Sequence, residues 1–478
     1  MDIVSLIDGF VSSLFEIEED FFQDPDKFEV TEQAAKSLGD RTMAQFLSML
    51  LTEADEMIQR NSLREGKFDI QRHKQRSLVS TVGDISFTQT KFRDKETGEY
   101  RTLLNDMLGL PPKERFTTLA EAKTLDVAEA HSYQYAADAL RFENQTITKV
   151  TVMNKVHKVE EDVSEFEDSL ECEKKVAEYL YIEADEDHIH RQKAGEKDGC
   201  MIGKLAYLFE GKEDVCKGKR ELVQPFYFGG LFPGEENAKY WENIERFIQK
   251  HYDQELLKTV YICSDGATWI KAGQDHIYKS VLVADRFHLM KYINKISRLT
   301  GDRENETKGR FYKYIYKDKL IAAEKMLTRI ENRYGGEKAV EECRTYFINN
   351  WEAIQRAFHD KNALGCSAEG HVSNVYSDRM SSRPMGWSET GSDRMCKLRC
   401  FVRNHGREKI VDLVKYRREK ELAALKATGT EDVVVELPKK KFTLEQKRAY
   451  AYVEKLQATI GGNTVRKTLA IRQRLNDI

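Results

Sequence analysis

Three runs of apolar and β-branched residues each deliver an aspartate at or near their end, and nothing else in the chain constrains its fold as much. They are Tyr179-Leu-Tyr-Ile-Glu-Ala-Asp185, Val260-Tyr-Ile-Cys-Ser-Asp265 and Val281-Leu-Val-Ala-Asp285. Runs of this kind read as buried strands, and an aspartate at a strand's end projects into the crevice where α/β sheets place their chemistry. A single such aspartate is an ordinary cap or turn residue. Two that converge, joined by a glutamate from a helix, make a site for Mg2+ or Mn2+, hard cations that take carboxylate oxygens and need little else from the protein.

The surrounding pattern predicts how they converge. Strands are expected at 178–184, about 201–210 and 221–228, then a helix at Asn237–His251, strands at 259–264 and 280–284, and a helix opening at Asp285. Three strands, a helix, then alternating strands and helices is the order of a ribonuclease-H-like mixed sheet, an α/β fold. Its first and fourth strands are central neighbours, so Asp185 and Asp265 would meet and a later glutamate would close the site. Two divalent ions held about 4 Å apart there would serve in-line phosphoryl transfer. Alternatives stand beside each member. Glu183, Glu186 and Asp187 flank Asp185, Asp285 competes with Asp265, and the completing carboxylate is Glu369 in Cys366-Ser-Ala-Glu369-Gly370-His371 or Glu389 in Trp387-Ser388-Glu389-Thr390-Gly391. His288 and His371 read as surface or supporting residues.

The rest divides around this core. Residues 1–75 show helical apolar spacing and form a helical lead-in. Residues 76–158 hold a hairpin around Val79–Phe87 and two short helices, His131–Leu140 and Val150–His157, the second capped by Thr146 or Thr148 after Asn144-Gln145. Two helices with a tight polar connection outline a helix-turn-helix, making this a mostly helical DNA-binding region. Residues 160–175 are an acidic linker, 176–290 and 363–410 the catalytic domain, 291–362 an all-α insertion, and 411–478 a basic helical tail.

Lys and Arg number 76 against 80 Asp and Glu, a net charge of −4 that argues against a uniformly basic nucleic-acid binder. Local faces set the field that phosphates feel, and Arg379, Arg383, Arg394, Lys397 and Arg399 gather into one basic stretch expected to hold DNA. No apolar stretch approaches the roughly 20 residues of a membrane span, and the acidic start does not read as a signal peptide. The eight cysteines contain no CxxC pair, which suggests neither a disulfide framework nor a zinc ribbon and fits a cytoplasmic setting.

Tyr-Ile-Glu-Ala-Asp185, Ser264-Asp265-Gly-Ala-Thr-Trp-Ile270, Ala284-Asp285-Arg-Phe-His-Leu-Met-Lys291 and Cys366-Ser-Ala-Glu-Gly-His-Val-Ser373 through Ser381-Ser-Arg-Pro-Met-Gly-Trp387 resemble the bacterial insertion-sequence transposases of the ISLre type. The likeness spans most of the chain. It implies an acidic-triad enzyme that cuts at the ends of its element and joins them to target DNA, works as a homodimer or higher oligomer on double-stranded DNA, and associates with the bacterial nucleoid when bound. The Asp-Arg-Phe-His segment resembles a signature that follows the second catalytic Asp in related transposases, which favours Asp265 over Asp285. The Glu-Gly entry to a helix resembles their terminal-Glu motif, which favours Glu369 over Glu389. The competing readings are a metal-dependent DNA nuclease without strand transfer and a helix-turn-helix DNA-binding regulator whose carboxylates are structural.

Overall fold

The computed structural model describes residues 3–140, 147–159, 162–192, 199–216, 219–301, 306–383 and 385–426. The chain separates into two compact units: Met1–Ala128 with Ser132–Val152 and Val411–Ile478, and Glu129–His131 with Met153–Ile410.

In the first unit the helices Ile3–Gln23 and Phe28–Gln59 precede an antiparallel sheet of β1 (Phe68–Ser80), β2 (Gly83–Asp94) and the short β3 (Tyr100–Arg101). Its core is built from Ile58, Phe68, Leu78, Ile85, Phe87, Phe92, Leu103, Leu104 and Leu110. Asp55 of the long helix is buried and accepts both the backbone N–H (2.9 Å) and the hydroxyl (2.6 Å) of Thr90, so an otherwise costly buried carboxylate pins helix to strand. The hairpin starts at Phe68, earlier than the expected 76, because Asp69–Gln75 is exposed throughout and has no apolar alternation to read. The two helices expected at 131–157 are Tyr133–Asp138, capped by Ser132 (3.1 Å), and Lys149–His157, where Thr148 accepts from the Thr151 N–H (3.3 Å). Asn144, Gln145 and Thr146 lie outside the described residues. So does the tail beyond residue 426; its described part, the helix Ile410–Lys426, places Arg417 and Arg418 on the fully buried Glu121.

The second unit contains β4 (Tyr179–His190), β5 (Cys200–Phe209), a separate two-stranded ribbon of β6 (Gly211–Cys216) and β7 (Lys219–Val223), then β8 (Phe226–Gly230), β9 (Thr259–Ser264) and β10 (Ser280–Ala284). Five of these form one mixed sheet in the order β10-β9-β4-β5-β8. The central β4 runs antiparallel to β5 and parallel to β9, and β9 is parallel to β10. Leu180, Ile182, Ala184, Val260 and Ile262 pack with Trp241, Ile244 and Ile248 of the helix Asn237–His251, a contiguous apolar set of the kind that drives burial. The third sheet strand begins at Phe226, and residues 221–223, expected within it, belong to the ribbon. The helices Arg286–Leu299, Glu306–Tyr316, Leu320–Tyr334 and Glu337–His359 follow β10, and the chain re-enters the sheet domain through Ala368–Val372. Among the described residues no helix is long and apolar enough to cross a membrane.

Candidate active site

β4 and β9 stay in parallel register from Tyr179↔Thr259 to Glu183↔Cys263 and then separate. Asp185 and Asp265 each lie two residues beyond the last pair, at the point where the two strands part. Asp185 is not at the end of its strand: β4 continues, paired to β5, through Asp185↔Leu205 to His190↔Cys200. What ends there is the parallel pairing, and that opens the crevice.

Asp265 sits in a tight turn. Its Oδ1 accepts the Ala267 N–H at 2.8 Å, and the Ser264 hydroxyl oxygen accepts the Gly266 N–H at 3.0 Å. Gly266 holds φ at +108°, and a Cβ there would stand 3.2 Å from the Tyr346 ring and 3.3 Å from Asn350 Nδ2. Only glycine takes this conformation without strain, so the turn closes against the helix Glu337–His359. A cavity of about 630 Å3 opens beside it, lined by Asp265, Lys271, Tyr292, Lys338, Tyr346 and Asn350 among others. Burial lowers the Lys271 ammonium's pKa and the charge of Asp265 opposes that shift.

Asp185 accepts only the neighbouring Glu186 N–H, at 2.8 Å, among the described residues. Burial pushes its pKa up to about 6. The carboxylate of Asp265 and that of Glu186 push the same way, while the Glu186 N–H and His288 pull it down. Two carboxylates that repel in a partly desolvated crevice form a natural place for a hard cation, which supplies the charge the pair lacks.

Asp285 takes another part. It caps the helix Arg286–Leu299, accepting the Phe287 N–H at 2.9 Å, and its other oxygen accepts the His288 Nδ1–H at 2.6 Å. That hydrogen bond raises the imidazole's pKa against burial, and the charge of Asp265 adds to it. His288 is thus held toward its charged form beside the Asp185–Asp265 pair.

The remaining carboxylates are distributed around this centre. Asp187 accepts the Ser381 hydroxyl, at 3.0 and 2.8 Å to its two oxygens. Glu186 accepts the indole N–H of Trp269 at 2.7 Å. Glu369 lies in the first turn of Ala368–Val372, with its side chain 63 % exposed and 3.8 Å from Lys291 Nζ, one turn beyond His288. The helical path continues through a π-turn at Ser373–Ser377 to Asp378–Met380. Glu389 opens a separate helix, Glu389–His405, and pairs with Arg191 at 3.1 Å, beyond Asp187 on the β4 side. Among the described residues no three His, Cys, Asp or Glu side chains are grouped to hold a metal ion. Mg2+ commonly takes one or two carboxylates and fills its other positions with water and substrate oxygens, so Asp185 and Asp265 fit it as a pair.

Sequence reasoning weighed Glu183 only as a neighbour of Asp185 and passed over the partners through which it ties Glu369's helix to β4. Glu183, buried two residues before Asp185, accepts the Tyr207 hydroxyl, the Lys212 ammonium (2.7 Å), and both the backbone N–H (2.6 Å) and the hydroxyl (3.0 Å) of Ser367. Lys212 also donates to the Gly365 carbonyl. No local pattern around Lys212 marks it for this role.

The basic stretch is largely internal. Arg399 is 5 % exposed and bound to Glu129 Oε1 (2.8 Å) and to the carbonyls of Glu129, Val375 and Asn374. Arg379, equally buried, lies over the Trp387 ring at 4.8 Å. Arg394 and Lys397 share Asp393. Of the five residues expected to hold DNA, Arg383 alone is exposed. Arg399 donates to buried carbonyls and pairs with Glu129, and Arg394 and Lys397 pair with Asp393.

The family model described as Uncharacterised protein family (UPF0236) matches residues 26–417. A UPF0236 protein of Caldanaerobacter subterraneus subsp. tengcongensis, whose name joins eleven locus designations, is 32% identical over 383 residues, 79% of this chain and 78% of its own. A second from the same organism, with four designations, is 31% identical over 79% of this chain and 78% of its own. Among solved structures, the Drosophila P element transposase strand transfer complex aligns with 64% of this chain and 85% of its own at 12% identity and a TM-score of 0.22, too loose a superposition to assign a fold.

Proposed function

We propose that this chain, which belongs to the uncharacterised protein family UPF0236, is a DNA transposase that cleaves at the ends of an insertion sequence and joins them to target DNA. The observation that carries the reading is the like-charge pair of Asp185 and Asp265 at the parting of two parallel strands. The strand order around it, with the first strand central between an antiparallel and a parallel neighbour, supports the reading of a ribonuclease-H-like sheet. Names joining eleven and four locus designations suit a sequence that multiplies within its genome.

In this reading Asp185 and Asp265 hold the cation, and Glu369 closes on it from the helix tethered by Glu183. Divalent ions bound there would activate the attacking water or 3′-hydroxyl and stabilise the leaving oxygen. His288, kept toward its imidazolium form by Asp285, faces the negative charge of the phosphodiester. The adjoining cavity is lined by both signs of charge, Lys271 and Lys338 beside Asp265, Glu341 and Glu342.

The test is cleavage of a labelled duplex carrying the element's end, with Mg2+, by the full chain and by Asp185→Asn and Asp265→Asn. Nicking at the end by the parent and none by either variant is the expected result. Cleavage without preference for the end and without strand joining makes the chain a nuclease; retained cleavage in either variant removes that residue from the site.

A further inference from the structure

One face of the β1–β2 hairpin changes character along its length. Near the tight end, Leu78, Ile85 and Phe87 are buried with Leu103, Leu104 and Leu110. Arg76 marks the limit of that cover: its guanidinium donates to Asn105 Oδ1 (2.6 Å) and to the Glu114 carbonyl (2.7 Å). Past it the same face carries Lys74 opposite Gln89, then Arg72 opposite Lys91. Arg72 and Lys74 are exposed and their side chains have no hydrogen-bond or ion-pair partner among the described residues. Lys91 is half-buried, with its ammonium 4.3 Å from the centre of the Tyr100 ring.

Like charges directly opposite across an antiparallel pair repel. The bulge between Ile70 and Arg72 sets the register that puts Arg72 across from Lys91. Of the acidic residues on the two strands, Asp84 lies at the tight end and Asp69 and Asp94 at the open end, where Asp69 pairs with Lys95 (3.6 Å) and Asp94 accepts the N–H groups of Glu96 and Thr97. Among the described residues the three cations in the middle have no carboxylate paired with them.

We propose that this ribbon is a duplex-binding element, with Arg72, Lys74 and Lys91 set against the phosphate backbone of double-stranded DNA. The proposal rests on the transposase reading for the identity of the nucleic acid. A two-stranded ribbon is one of the two elements a major groove admits, and three unpaired cations on its face supply the sequence-independent phosphate contacts that fix register on a duplex. A second copy of the chain pairing along the edge of β1 would bring Arg72 and Lys74 against their own kind.

The experiment measures binding of a fluorescein-labelled 30-base-pair duplex to the full chain across a salt series, without Mg2+, for the parent, the triple variant Arg72→Gln/Lys74→Gln/Lys91→Gln and the single variant Lys74→Gln. Each phosphate contact contributes about 0.9 to the slope of log K against log salt. The triple variant should lose roughly 2–3 from that slope and bind at least about tenfold more weakly near 0.1 M salt, and Lys74→Gln should lose about 1. An unchanged slope in the single and triple variants, with the parent still binding, overturns the ribbon's role and leaves the catalytic reading intact. A parent that binds no duplex at low salt overturns both. Conversion of a dimer to a monomer by the triple variant with the slope unchanged assigns the ribbon to contacts between copies instead.

Discussion

Glu183 and Asp185 occupy the same face of β4, two residues apart, and live in opposite circumstances. Glu183 is nearly fully buried yet receives three hydrogen bonds and the ammonium of Lys212. Asp185 is less buried, accepts one backbone N–H, and faces another carboxylate that raises its pKa. A buried charge that is fully partnered has been put to structural use. One that is desolvated and set against its own kind keeps a cost that only a ligand relieves, and such costs concentrate at functional sites. On the proposed reading, one strand thus carries a carboxylate for holding the fold together and another for chemistry.

The largest test of that contrast is on activity. Asp185→Asn and Asp265→Asn should each lower Mg2+-dependent cleavage by about 10³-fold, the scale on which a charge-stabilising group at a reacting centre acts, while thermal melting stays at or above the parent's. A melting temperature that collapses in either variant would make these aspartates structural and erase the distinction. Glu369→Gln should also stop cleavage, although its exposed side chain predicts unchanged melting.

On the other carboxylate the effect should fall on stability. Glu183→Ala leaves Lys212, whose side chain is 10 % exposed, without its carboxylate, and urea unfolding should report a loss of about 3–5 kcal/mol. A loss under 1 kcal/mol would mean that the cluster does not anchor the helix.

The pair should differ in pH response as well. An aspartate whose folded pKa is raised to about 6 binds its proton more tightly when folded, so the folded state is favoured at low pH. That advantage is lost as pH rises from near 4 to about 6. Asp185→Asn should remove this fall, visible as a flatter melting-temperature profile across that window. Mg2+ must displace the same proton, so the cation-dependent rise in melting temperature should shrink below about pH 6 and vanish in the variant. The smallest expected effect is that of Glu389→Gln. Its pair with Arg191 is mostly exposed on the glutamate side, so its removal should cost under about 1 kcal/mol and weaken cleavage only modestly. Abolished cleavage there, with Glu369→Gln active, transfers the completing role to Glu389.

The strands carrying the candidate aspartates were readable because Leu180, Ile182, Val260, Ile262 and Val283 are core residues in short apolar runs. The continuation of β4 was not, since Glu186, Asp187, His188 and His190 resemble a loop until β5 pairs with them. The burial of the basic stretch was hidden for a related reason. Arg399 reads as surface charge, but its partner Glu129 is 270 residues away, and no local pattern shows that an arginine has been claimed at such distance. Glu183's partners, Lys212 and Ser367, are hidden in the same way. What sequence conveys well is periodic burial; what it conveals least is which distant groups satisfy a charge.

The tether between Glu183 and Ser367 also has a meaning in time. The two lie 184 residues apart, so at 5–20 residues per second roughly ten to forty seconds of synthesis separate them. Until Ser367 has emerged, Glu183 lacks two of its donors, and the helix bearing Glu369, which follows Ser367 in the chain, has not emerged either. On the proposed function, a growing chain therefore carries both aspartates without a completed centre, and becomes competent to cut DNA only once the intervening helices have been made. Ribosome-arrested chains ending before and after residue 380 would show this as a step in protease resistance of the sheet, and its absence would dissociate the tether from the order of assembly.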